Sequence, residues 1–148
     1  MATYTKLSAD ETTVSGMTHK LVITYTDLLT LTSGTAYSVL PRFNAATTIP
    51  AQTRILDCYV RIDTAFAKTD TNATTILVGD GGDTGRFIAS TSILSGVGIQ
   101  GVQSKMPYSY LVADTVDIIV TVAVSGLMTD FTAGQLTIFF ALAYMGTE

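Results

Sequence analysis

Residues 54–66 read RILDCYVRIDTAF. Leu56, Cys58, Val60, Ile62, Thr64 and Phe66 alternate with Asp57, Tyr59, Arg61, Asp63 and Ala65. Side chains two apart share a face of a strand, whereas a helix would scatter both sets around its circumference. The stretch therefore predicts one long β-strand, apolar on one face and charged on the other.

The same period of two recurs on both sides. Residues 20–26, KLVITYT, place Leu21, Ile23 and Tyr25 opposite Lys20, Thr24 and Thr26, and residues 28–32, LLTLT, are expected to continue the strand past a bend at Asp27. Residues 37–43 form a short extended piece interrupted by Pro41, which suits an edge strand or a bend. Further strands are expected at 74–78, 86–89, 107–112 and 116–124, with a flexible glycine-rich segment within 93–102. In residues 134–145 Leu136, Ile138, Phe140, Leu142 and Tyr144 oppose Thr137, Phe139, Ala141, Ala143 and Met145. Apolar residues on both sides predict a central strand covered on both faces, by a second layer or a neighbouring subunit.

About eight strands, punctuated by turns and with no convincing amphipathic helix, predict an all-β, single-domain β-sandwich of jelly-roll type. Residues 1–17 are polar, Thr-rich and end in Ser15-Gly16. They are expected to be an extended N-terminal arm, with the sandwich over 18–148.

Of the 148 residues, 47% are hydrophobic and 14% charged, against about 25% charged in a typical soluble domain. So few charges predict a surface partly covered by other subunits. The net charge is −4, with no basic run, which argues against nucleic acid or an anionic membrane surface as partner. No apolar stretch reaches the roughly 18 residues of a spanning helix. An outer-membrane barrel has similar alternation, but it would need export, and the polar N-terminal stretch is expected to carry no signal peptide. The single cysteine, Cys58, excludes an internal disulfide and fits a small buried hydrophobe.

Candidate chemistry is sparse. Residues 79–85, GDGGDTG, lack the Lys of a phosphate loop and the closing Glu of an EF-hand. Asp80 and Asp83 could contribute to a calcium site, but a turn is the simpler reading, since Gly and Asp both favour turns. His19 is the only histidine, so no multi-histidine metal site is available, and no G-x-S-x-G nucleophile motif accompanies it. Asp57 and Asp63 are about 20 Å apart along a strand, too far for a catalytic carboxylate pair. Tyr108 and Tyr110 fit one strand face and could stack on a sugar, although core or interface roles are commoner. Asn72-Ala73-Thr74 matches a glycosylation sequon. No catalytic, cofactor or metal residue is assigned.

Residues 74–93, TTILVGDGGDTGRFIASTSI, followed by a glycine-rich loop and two apolar closing strands, resemble small structural proteins of tailed bacteriophage virions. The similarity is greatest to capsid decoration (cement) proteins and head-fibre domains, and extends in layout over about residues 54–145. The resemblance implies a non-enzymatic β-sandwich or jelly-roll homotrimer on the capsid exterior, contacting the major capsid protein and made in the host cytoplasm. Residues 1–17 are the expected capsid-gripping or subunit-swapping arm. The rival expectation is a carbohydrate- or receptor-binding β-sandwich using tyrosines and loop aspartates, and an enzyme ranks last.

Overall fold

The computed structural model describes residues 3–29, 38–39, 48–49, 53–69, 73–80, 82–94, 96–102, 108–109, 116–117, 119–124 and 130–144. Within them the order is β1 (Thr3–Lys6), α1 (Ala9–Ser15), β2 (His19–Thr24), α2 (Tyr25–Leu29), β3 (Ser38–Val39), β4 (Thr48–Ile49), β5 (Thr53–Lys68) and β6 (Thr74–Gly79). It continues with β7 (Ile88–Ser92), β8 (Gly98–Val102), β9 (Tyr108–Ser109), β10 (Val116–Asp117), β11 (Ile119–Val124) and β12 (Phe131–Tyr144). The protein is an all-β sandwich.

The main sheet has the order β1-β2-β12-β5-β8, with β9 also on β5, and the second sheet has the order β3-β11-β6-β7. Every pairing is antiparallel. Omitting the edge strand β1, each sheet takes alternate pairs from the chain, β2 and β12 beside β5 and β8, β3 and β11 beside β6 and β7. This is the jelly-roll-like order of interleaved Greek keys. Leu21, Ile23, Ile55, Cys58, Val60, Ile62, Leu136, Ile138 and Phe140 from the first sheet pack against Ile76, Val78, Ile88, Val120, Val122 and Val124 from the second. β12 is central, as its two-sided apolar pattern requires. Its outer residues Phe139 and Ala141 pack with Leu7 and Met17 of the same chain and with Tyr59. The second layer behind β12 is thus the N-terminal segment.

Three expectations change. First, β5 does not alternate cleanly: Ile55 is fully buried while Leu56 is 45% exposed and Thr64 is exposed. Leu142 pairs with Ile55 and Ala141 with Asp57, so Leu56 is an extra residue without a partner. Asp63 is likewise extra between Ile62 and Thr64, which pair with Leu136 and Gln135. The first bulge shifts the inward set by one, from Ile55 to Cys58, whereas a further extra residue between Thr64 and Ala67 leaves Phe66 buried on the parity of Ile62. Second, two helices form where none was expected. Residues 3–6 do extend, pairing with β2 of their own chain, but Ala9–Ser15 is helical. The Ser8 hydroxyl accepts from the Glu11 N–H while Glu11 accepts from the Ser8 N–H, a complete capping box. Likewise 25–29 is helix, not continued strand: the Asp27 carboxylate accepts from both the Thr24 N–H at 2.8 Å and its hydroxyl at 2.9 Å, drawing the backbone out of the ladder. Third, the glycine-rich segment contains β8, paired with β5 at Tyr59–Ile62. Residues 30–32, Pro41, Tyr110–Val112 and Met145 lie outside the described residues.

Gly134 in β12 has φ +135°, and a Cβ there would lie 2.2 Å from Cδ1 of Phe66. The bare backbone lets the Phe66 ring lie over β12, edge-on to Phe131 with centroids 5.9 Å apart. Gly134→Ala should destabilise the protein by about 2–4 kcal/mol, combining backbone strain with overpacking. In a Phe66→Leu background the increment should shrink, as urea melts of the four proteins would show.

Candidate functional site

The glycine loop joins β6 to β7 and is built around one buried carboxylate. Asp80 is 3% exposed. Its Oδ1 accepts from the N–H groups of Gly82 and Asp83, both at 2.9 Å. Its Oδ2 accepts from Arg86 Nε at 2.6 Å. The Asp80 N–H donates to the Asp83 carbonyl, and the Asp83 carboxylate accepts from the Gly85 N–H at 3.0 Å. Gly79 permits this closure, because a Cβ there would come within 2.1 Å of the Asp83 carbonyl oxygen. Beyond the loop, the Phe87 N–H returns to the Val78 carbonyl and the Phe87 ring is fully buried.

This arrangement disfavours a cation at GDGGDTG. A calcium ion needs six or more oxygen ligands. Both oxygens of Asp80 already accept from donors that a cation would have to displace, one of them a guanidinium. Asp83 is exposed and turned to its own backbone. The loop is a clamp that seats Phe87 in the core.

The other candidate residues stand apart. His19 begins β2, half-buried, with Nδ1 2.8 Å from the Thr18 hydroxyl. Burial, then the charge of Lys6, holds its pKa below the usual 6.5. Cys58 is fully buried, and burial together with the Asp57 charge pushes its thiol well above the usual range, which removes its nucleophilic character at neutral pH. Asp57 accepts from the Cys58 N–H at 2.8 Å, whereas Asp63 accepts from Arg61, Thr137 and Gln135. The two carboxylates have different partners and form no pair. The side chains of Tyr108, Tyr110 and Asn72 lie outside the described residues. Among the described residues, no three His, Cys, Asp or Glu side chains gather as a metal site, and no helix is long and apolar enough to cross a membrane.

One further feature leaves no trace in the strand periodicity. A groove of about 590 Å³ lies on the outer face of the main sheet beside α1. Its lining includes Glu11 from α1, Lys20 and Val22 from β2, Arg61 and Asp63 from β5, and Phe139 from β12. The Ser8 N–H and Lys20, 3.2 Å away, hold Glu11 below its usual pKa. The signal available in the sequence was the capping box over Ser8–Glu11, which places a helix above this face.

Asp80→Asn should keep both Oδ1 contacts but leave Arg86 without its anion. A loss of about 2 kcal/mol is expected, below the range for a fully buried pair because Arg86 is 22% exposed. A chelator should leave the melting temperature of the unaltered protein unchanged, and a chelator-dependent drop would refute the clamp reading. For His19, the lowered folded pKa means that the unfolded chain binds a proton more readily. Its stabilising effect is complete above about pH 6.5 and is lost as the pH falls toward the depressed pKa. Between pH 7 and 5 the melting temperature should therefore fall less in His19→Gln than in the unaltered protein.

No protein-family model matches this chain, and no curated protein matches it. Among solved structures it is similar to a chain of the "Cyanophage Pam1 capsid asymmetric unit", with 15% sequence identity and a TM-score of 0.48, covering 78% of this chain and 86% of that one.

Proposed function

We propose that the protein is a non-enzymatic structural component of a phage virion, a decoration (cement) protein. In this reading it binds the outer capsid surface as a homotrimer and contacts the major capsid protein. The observation that carries the reading is jelly-roll-like wiring in a chain with only 14% charged residues. Jelly rolls serve as capsid shells, lectins and cupins, and wiring alone does not choose among them. A cupin-type metal site is opposed by the single histidine. A calcium-dependent lectin is opposed by the engaged carboxylate of Asp80. The resemblance of residues 74–93 to virion proteins supports the shell role.

Three exposed apolar side chains, Leu56, Val97 and Ile99 at 45–66% exposure, belong at trimer or capsid contacts in this reading. The edge strand β1 and helix α1 supply the capsid-facing element. The mechanism is linkage: a protein that binds the assembled shell and not its separated subunits stabilises the shell in proportion to its occupancy. Three attachment points per trimer multiply weak contacts into avidity. Nucleic acid and membrane have no part in it.

Light scattering on the purified protein should give three times the 15.7 kDa chain mass. Co-sedimentation with undecorated phage heads should saturate and raise the temperature at which the heads rupture. A monomer would overturn the trimeric reading, and heads that neither bind nor gain stability would overturn decoration itself.

A further inference from the structure

Residues 87–104 hold no charged side chain, the longest such run in the chain. The next longest, residues 131–147, contains β12, which is covered on both faces. Residues 87–104 have no such cover. They include β7, at the edge of the second sheet, and β8, at the edge of the main sheet, and the two strands lie side by side along one flank of the sandwich. Ala89, Ser90, Ser92, Val97 and Ile99 are exposed there, Val97 at 66% and Ile99 at 62%. β6, the neighbour of β7, is also free of charge. Arg61 pairs with Ile99, but its guanidinium lies over Phe139 of β12, away from this flank.

Natural sheets guard an open edge with charge or proline. β1, at the opposite edge of the main sheet, ends on Lys6, whereas β7 and β8 carry neither guard. An edge without charge fits a surface covered by protein, since charges are depleted at the centre of an interface. Symmetry identifies the covering partner. In a contact with a different protein, a charge on one side can be answered by the opposite charge on the other. Beside a rotation axis a residue meets its own copy, so any charge there meets the same charge. Each chain carries a net charge of −4, and its copies approach most readily along a flank with no charge to repeat.

We propose that the β7–β8 flank is the surface through which copies of this chain meet, with Val97 and Ile99 beside the rotation axis. The inference rests on the homotrimer reading above and not on capsid binding. Ile99→Asp sets an anion against its own copies. Light scattering should give this variant the 15.7 kDa mass of one chain, with an unchanged circular dichroism spectrum, while the unaltered protein keeps its multiple. Ile99→Cys, treated with a mild oxidant, should form a covalent dimer on a non-reducing gel, because side chains beside an axis come within disulfide reach. Thr5→Cys, exposed on β1 at the opposite edge, should not, and the buried Cys58 does not compete. The two cysteine variants decide alone where Ile99→Asp alters the spectrum. An undiminished mass in Ile99→Asp, or cross-linking of Ile99→Cys no faster than of Thr5→Cys, would overturn the flank assignment and leave the homotrimer standing. A single-chain mass for the unaltered protein would overturn both.

Discussion

The antiparallel ladder between β5 and β12 is the constraint on which the rest of the structure depends. It runs from Tyr144 opposite Thr53 to Phe131 opposite Lys68. β2 is placed by pairing with the free edge of β12, and β8 and β9 by pairing with the free edge of β5. The ladder's inner face carries Ile55, Cys58, Val60, Ile62, Leu136, Ile138 and Phe140, the floor on which the second sheet packs. Its outer face carries Tyr59 and Phe139, stacked with centroids 4.9 Å apart, and Phe139 in turn lies under Arg61. Core, N-terminal cover and groove are all built on one pair of strands.

The ladder was legible in the sequence because its period of two is long and strongly contrasted. The two-sided apolar pattern of β12 announced a central strand with a layer on each side, and both layers exist. The bulges at Leu56 and Asp63 were hidden, because a bulge shifts the inward set without changing which residues are apolar. Leu56 reads as a core residue by parity and is exposed, while Ile55 reads as an outward residue and is buried. The helices had a local signal that periodicity overlooked. Ser8 with Glu11 and Thr24 with Asp27 share the same spacing of a hydroxyl residue and an acid three positions later, the signature of a helix start. Both helices are short, so no amphipathic stripe accompanied the cap.

The glycine loop was legible as a turn, but its reason for existing was not. Nothing in GDGGDTG says that Asp80 is buried or that Arg86 returns to it across six positions. That contact depends on Gly79 allowing the Asp83 carbonyl close to the backbone. The groove was invisible for a related cause. Its walls come from Leu7 after β1 and from α1, β2, β5 and β12, and only the fold brings Lys20, Arg61 and Gln135 to one place.

The position of β12 also governs the order of events during synthesis. β2 and β5 do not pair with each other, since β12 lies between them. Thr18 bonds the Phe140 carbonyl and the Leu142 N–H across 122 and 124 positions of chain. Until residues 131–144 have left the ribosome, the earlier strands of the main sheet lack their common partner and keep open edges. Contacts this distant in sequence make folding slow and leave those edges open to wrong pairing. The joining of β2 to β5 in one sheet must therefore wait for residues 131–144, whatever pairs form before them.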